Sequence, residues 1–122
     1  MTQRFHSIHA HQMVRVAAAT PRASVGDIDA NLDAAVAMAR EADARGVDCV
    51  VFPELNLTSY ALDDLHLQSA QQRASDAAVV AFAERTAGWA PLLLVGAALV
   101  RNGRLYNCAV AVHRGRILGV VP

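Results

Sequence analysis

The hydrophobic positions of this chain form short apolar runs that are separated by segments with helical spacing. The runs predict five strands, at residues 14–19, 48–52, 92–99, 105–113 and 116–121. The helical spacing predicts a helix over 29–45 and another over about 63–86, with a break at residues 71–72. The second helix would begin at Asp63 and Asp64, whose negative charges suit the positive end of a helix dipole. Because strands and helices alternate, the pattern predicts parallel βαβ units in an α/β fold, closed by a hairpin of the last two strands.

Composition and charge narrow the class of protein. The 122 residues are 54% hydrophobic and 18% charged, which excludes intrinsic disorder. We predict a flexible, His-rich N-terminal extension over 1–12 and one domain over 13–122. Eleven basic and eleven acidic side chains cancel, so we expect neither nucleic acid nor a membrane surface as a partner. Two cysteines inside apolar runs, and no N-terminal apolar stretch of secretory length, indicate a cytoplasmic protein.

Glu54 is the strongest candidate for chemistry. It directly follows the apolar run 48–52, which places it at the carboxyl end of a predicted parallel strand. Ligands of open α/β sheets bind at that edge. Apolar neighbours on both sides are expected to remove the carboxylate partly from water, as a general base requires. The alternative is an ordinary glutamate in a surface loop near a strand end.

The other reactive side chains give weaker signals. Cys49 and Cys108 lie in predicted strands, and we interpret both as small core residues rather than nucleophiles. All eleven basic side chains are arginine, so no lysine is present. The three histidines of the N-terminal segment lack a cysteine or carboxylate at ligand spacing, and we predict no metal site. His66 and His113 are isolated, and each is interpreted as a solvated or hydrogen-bonded polar group.

Three blocks of the sequence resemble motifs of the nitrilase, or carbon-nitrogen hydrolase, superfamily. Residues 51–60 read VFPELNLTSY and resemble its F-P-E-L-x-L-[TS]-x-Y signature. Residues 14–20 and 26–31 resemble its opening strand and the G-D-x-x-x-N entry to its first helix. Residues 105–119 resemble its L-Y-N-x-A and G-x-I-L-G hairpin. The resemblance implies the α-β-β-α sandwich of the superfamily, of which this chain would supply the N-terminal part.

One branch of the superfamily resembles the chain further. Residues 60–65, YALDDL, resemble the G-Y-x-x-[ED]-[DL]-L segment in the glutaminase domains of glutamine-dependent NAD synthetases, with Ser59 in place of the glycine. The resemblance implies glutamine as substrate and a homo-oligomer. It also implies a C-terminal synthetase domain that uses ATP and Mg, whereas this segment itself needs no cofactor. Because the apolar strand pattern continues to Pro122, we expect a longer protein.

The resemblance also implies roles for individual residues. The family uses a Glu–Lys–Cys triad, in which Glu54 corresponds to the general base. Tyr60 would line the glutamine pocket, or alternatively would pack the loop as a plain aromatic residue. The lysine and the nucleophilic cysteine have no counterpart in these 122 residues, so this segment alone is expected to be inactive.

Two other interpretations stay open on the sequence alone. A single-domain amidase or carbamoylase of the same superfamily would act on a small amide without ATP. A non-enzymatic α/β module would keep the fold and lack the triad altogether.

Overall fold

A computed structural model describes residues 5–122, so the first four residues of the predicted extension lie outside the described residues. Two short 3₁₀ segments are present, at Ile8–His11 and Tyr60–Leu67. The regular elements, in chain order, are β1 (Val16–Ala18), α1 (Ile28–Ala44), β2 (Cys49–Val51), α2 (Ser69–Arg85), β3 (Leu92–Arg101), β4 (Arg104–His113) and β5 (Arg116–Val121). The α/β class predicted from the sequence is confirmed.

The five strands form one sheet in the order β1-β2-β3-β4-β5. The pairs β1–β2 and β2–β3 are parallel, because a helical crossover separates the strands of each pair. The pairs β3–β4 and β4–β5 are antiparallel hairpins, with one register shift between Ala111 and Val112. The Asn102-Gly103 turn joins β3 to β4, and both of its residues have the positive φ that such a tight turn needs.

Both helices pack on the same face of the sheet. The two crossovers move along the sheet in one direction, and right-handed crossovers then place their helices on one side. Small buried residues on α1, such as Ala35 and Ala39, let it lie close to the sheet and to α2. Phe82 of α2 is fully buried and stacks edge-on against Phe52 at 5.8 Å between ring centroids. The buried sheet residues beneath them include Val50, Leu93, Val95, Val110 and Val112.

The opposite face of the sheet carries apolar side chains that the described residues leave exposed. Val16, Val51 and Val121 lie on this face and are 69%, 50% and 65% exposed. Leu94, which pairs with Val51, and Leu92, which pairs with Cys49, lie on the same face and are half-buried. We call this surface the open face, in contrast to the helix-covered face.

The structure corrects the predicted second helix. The break between its two pieces falls at Gln68 and not at residues 71–72, and the first piece is a 3₁₀ segment that begins at Tyr60. Asp63 has φ 50° and ψ −130°, which a regular helix does not allow. Asp63 and Asp64 therefore do not lie at the start of an α-helix, and the prediction that they stabilise a helix dipole is wrong. Neither helix among residues 5–122 is long and apolar enough to cross a membrane.

Candidate active site

Glu54 lies where β2 leaves the sheet. The backbone N–H of Phe52 still donates to Leu94 O at 2.9 Å, and the chain then turns across the open face. The apolar neighbours Phe52 and Leu57 point into the core and are buried. Glu54 itself is exposed, so the expected partial desolvation is not found among the described residues. The position at the carboxyl end of a parallel strand is confirmed.

Asn107 on β4 donates from its Nδ2 to Oε1 of Glu54. Asn107 pairs with Ala98 of β3 and, by strand alternation, projects from the open face. The sequence motif L-Y-N-x-A contains this asparagine, although the motif alone assigns no role to it. The contact joins two of the sequence blocks that resemble the motifs of the superfamily.

Gly96 of β3 allows the Glu54 loop to cross the sheet closely. A Cβ at this position would lie 2.6 Å from Leu55 N and 3.0 Å from the carbonyl carbon of Glu54, and closer still to Pro53 O. The carbonyl of Gly96 also accepts a hydrogen bond from Leu57 N at 3.2 Å. A single glycine inside an apolar strand signals such a close approach, so this role was readable in the sequence.

The G-D-x-x-x-N motif holds the same loop from the side of α1. Asp27 caps the helix by accepting from Ala30 N at 3.0 Å. Asn31 is buried and donates to Leu57 O at 3.1 Å and to Ser24 O at 2.8 Å. The N–H of Gly26, which has φ 72°, donates to Thr58 O at 3.2 Å. These residues tie the first helix to the loop that carries Glu54.

His66 connects the Glu54 loop to the 3₁₀ segment that follows it by two hydrogen bonds. Its Nε2 lies 2.8 Å from Thr58 Oγ1, and its Nδ1 lies 2.9 Å from the carbonyl oxygen of Asp63. A carbonyl only accepts, so Nδ1 carries a proton and donates it to the Asp63 carbonyl. The side chain is buried, and the interpretation of His66 as a satisfied polar group is confirmed. His113 likewise contacts Ala90 O, at 3.1 Å.

Tyr60 begins the 3₁₀ segment that follows the loop, and its side chain is 69% exposed. Ser59 before it has φ 74° and ψ 138°, a conformation that suits glycine and strains other residues. The related motif has glycine at this position, and the backbone supplies the physical reason.

The two cysteines lie on opposite faces of the sheet. Cys108 is buried on the helix-covered face, where burial raises the pKa of its thiol and a backbone hydrogen bond at Leu99 partly offsets this. Cys49 is half-buried on the open face, so the prediction of a core position is right for Cys108 and wrong for Cys49. The reason is register, because Val50 takes the core position of β2. The structure contains both as free thiols.

No cluster of three or more His, Cys, Asp or Glu residues within 5–122 is arranged to hold a metal ion. His9 of the N-terminal segment instead lies 3.7 Å from the Asp48 carboxylate.

Two surface grooves differ in their volume, position and lining residues. One, of about 400 Å³, is lined by Asn107 and Leu55 together with Asp63 and Asp64, so it opens beside the Glu54–Asn107 pair. A larger one, of about 670 Å³, lies between the start of α1 and α2 and is lined by apolar residues, four of them alanines, together with Asp27, Asp29 and Gln71. The smaller groove is the better candidate for a substrate, because it adjoins the strand-end loop that carries Glu54.

The fold and the carboxylate at the strand end define a class of protein. The carbon-nitrogen hydrolase family profile matches residues 15–121, and the chain belongs to this family. Among its relatives, the glutamine-dependent NAD(+) synthetase of Mycobacterium tuberculosis is 42% identical over 118 residues, or 97% of this chain. The enzyme of the same name from Thermotoga maritima is 36% identical over 107 residues.

Solved structures show the same fold. A glutamine-dependent NAD(+) synthetase from Cytophaga hutchinsonii superposes on 88% of this chain with a TM-score of 0.82 at 22% identity. An amidase of the nitrilase superfamily from Nesterenkonia superposes on 88% with a TM-score of 0.78 at 20% identity. The chain spans 17% of the length of the M. tuberculosis relative, 18% of the Cytophaga chain and 42% of the amidase chain.

Proposed function

We propose that this chain is part of the glutamine-hydrolysing unit of a glutamine-dependent NAD synthetase, with Glu54 as its general base. The observation that carries the proposal is the position of Glu54, whose carboxylate stands at the carboxyl end of β2 beside a groove. Relatives at 42% and 36% identity with that name support the choice of branch. Tyr60 would line the glutamine pocket, since it follows the same loop and leaves most of its ring exposed.

In the proposed reaction, Glu54 takes the proton of a cysteine thiol, and the thiolate attacks the side-chain amide carbon of glutamine. Glu54 returns the proton to the leaving nitrogen as the C–N bond breaks, which releases ammonia and leaves a γ-glutamyl thioester. Water then attacks the thioester, Glu54 takes its proton, and the thiol is regenerated with glutamate. A lysine would stabilise the oxyanion of each tetrahedral intermediate.

The cysteine and the lysine of this scheme lie outside these 122 residues. The chain has no lysine, Cys108 is buried on the wrong face, and Cys49 begins the strand at whose other end Glu54 stands. The ATP and Mg²⁺ of the synthetase reaction are assigned by the resemblance to the proposed synthetase domain, and this segment is proposed to need no cofactor of its own. Glutamine and that domain are the proposed partners. The homo-oligomer and the cytoplasmic location remain proposals from the resemblance and from cysteine usage.

The test compares two routes to NAD in the full-length protein, one fed with glutamine and one with free ammonia. Glu54→Gln is expected to lower the glutamine-fed rate by roughly 10²–10⁴-fold, the range for loss of a general base, and to leave the ammonia-fed rate unchanged. Glu84→Gln removes an exposed carboxylate from α2 and serves as the charge control. A Glu54→Gln protein with full glutamine-fed activity would refute the proposal.

A second function, a single-domain amidase that needs no ATP, is favoured by the fold shared with the Nesterenkonia amidase. One structure of that amidase shows acrylamide added to its active-site cysteine. Amide hydrolysis by the full-length protein with no ATP-dependent NAD formation would favour this function. The 122-residue chain alone is expected to hydrolyse neither glutamine nor other amides.

A further inference from the structure

We propose that Asn107 is a positioning residue that sets the orientation of the Glu54 carboxylate for proton transfer. The inference rests on the proposed function of Glu54 and adds a second residue, from a different strand, to the same site. Its basis is the hydrogen bond from Asn107 Nδ2 to Glu54 Oε1.

The two partners are held by different means. Glu54 is on a loop whose neighbours Leu55 and Ser59 both have positive φ, and its own side chain is exposed. Asn107 is on β4, where it pairs with Ala98 of β3; β5 pairs with the same strand two residues further on, from Ala109. A side chain on a paired strand keeps its position better than one on a loop. The strand residue therefore fixes the loop residue.

The hydrogen bond gives the two carboxylate oxygens of Glu54 different roles. Oε1 accepts from Asn107, and the carboxylate plane is thereby set, which leaves Oε2 to accept a proton from a nucleophile. Orientation of this kind matters because misplacement by about 1 Å costs about 10²-fold in rate. The groove is lined by Asn107 and by Leu55, the residue after Glu54, so a substrate held there would lie beside this carboxylate.

The uncharged nature of the donor suits a general base. An arginine at this position would form a charged pair and stabilise the ionised carboxylate strongly, which opposes proton uptake. An amide N–H orients the group with a much smaller effect on its charge. Among the described residues Glu54 forms no ion pair, since the three that occur join other side chains.

Two nearly isosteric variants of the full-length protein test the role of Asn107. Asn107→Leu keeps the volume and removes the donor, and we expect the kcat of glutamine hydrolysis to fall about 10²-fold with little change in KM. Asn107→Asp places a second carboxylate against Glu54, and we expect the acidic limb of the kcat/KM profile to move to higher pH. The ammonia-fed rate reports that the synthetase domain is intact, and urea unfolding reports whether the domain that contains Asn107 is folded in each variant.

The outcomes separate this inference from the function on which it rests. If Glu54→Gln abolishes glutamine hydrolysis while Asn107→Leu has the wild-type kcat, the positioning role is refuted and the proposed function stands. If both Asn107 variants lose activity equally and the pH profile of Asn107→Asp superimposes on wild type after scaling, Asn107 only packs, and the inference is also refuted. If Glu54→Gln is fully active, the proposed function itself fails.

Discussion

The two faces of the sheet are built from neighbouring residues of the same strands and differ in almost every property. The helix-covered face has Val50, Leu93 and Val110 at 1% exposure or less. The open face has exposed valines, a glycine over which the Glu54 loop crosses, and the hydrogen bond from Asn107 of β4 to the Glu54 side chain. Packing on one face fixes the backbone, and the other face is thereby free to present polar groups in a defined geometry. Stability and chemistry are separated by the alternation of side chains along each strand.

The largest expected difference between the faces is at Leu93 and Leu94, adjacent residues of one type on opposite sides of β3. Leu93→Ala is expected to cost about 2–5 kcal/mol of the free energy of unfolding, because it opens a cavity in a closed core. Leu94→Ala is expected to cost roughly 1 kcal/mol, because Leu94 is half-buried. Urea unfolding of both variants measures the contrast, and equal costs would show that the open face is as tightly packed as the other.

Gly96 and Gly119 both lie on the open face, and alanine substitutions at the two positions are expected to differ in their effect on the free energy of unfolding. Gly96→Ala is expected to cost about 1–3 kcal/mol, because the new methyl group meets the backbone of Pro53 to Leu55. Gly119→Ala meets nothing within 4 Å and is expected to stay within about 0.5 kcal/mol of wild type. Unfolding free energies test the pair. A neutral Gly96→Ala would mean that the Glu54 loop does not cross β3 as closely as the structure shows.

The thiols of Cys49 and Cys108 allow the two faces of the sheet to be compared by their rates of alkylation. Burial raises the pKa of Cys108, so at a given pH less of it is the reactive thiolate, and its alkylation should keep rising with pH above the ordinary thiol range. Cys49 on the open face is expected to react at least about tenfold faster near neutral pH. Iodoacetamide labelling followed by peptide mass analysis measures both labelling rates, and the variants Cys49→Ala and Cys108→Ala show which peptide signal belongs to which thiol. Faster labelling of Cys108 would contradict its placement in the core.

The smallest expected effect is at Ser59, where the Glu54 loop stores backbone strain. Ser59→Gly is expected to raise the free energy of unfolding by about 1 kcal/mol, because glycine adopts φ 74° and ψ 138° without a Cβ clash. Ser59→Ala keeps the Cβ and should give no gain, so it isolates the backbone effect from loss of the hydroxyl. Equal stability of the two variants would locate the strain elsewhere.

Strands and parallel order followed from the apolar runs because buried strands of a βαβ unit are continuous in hydrophobicity. The 3₁₀ segment at Tyr60–Leu67 did not follow, because Asp63 takes a left-handed φ that no periodicity signals. Glu54 was found from its place after a buried run. Its partner Asn107 was hidden, since 53 residues separate the two and only the β2–β3–β4 order brings them together. Cys49 was misplaced because a three-residue strand gives no clear alternation.

The proton-accepting role of Glu54 is tested most directly by the reactivity of the proposed nucleophilic cysteine in the full-length protein. Its alkylation by iodoacetamide at neutral pH should be about 10²-fold slower in Glu54→Gln than in wild type, because the base no longer generates the thiolate. Cys49 and Cys108 serve as internal controls, and their labelling rates should be the same in both proteins. Unchanged alkylation of the nucleophile in Glu54→Gln would contradict the assignment of Glu54 as its general base.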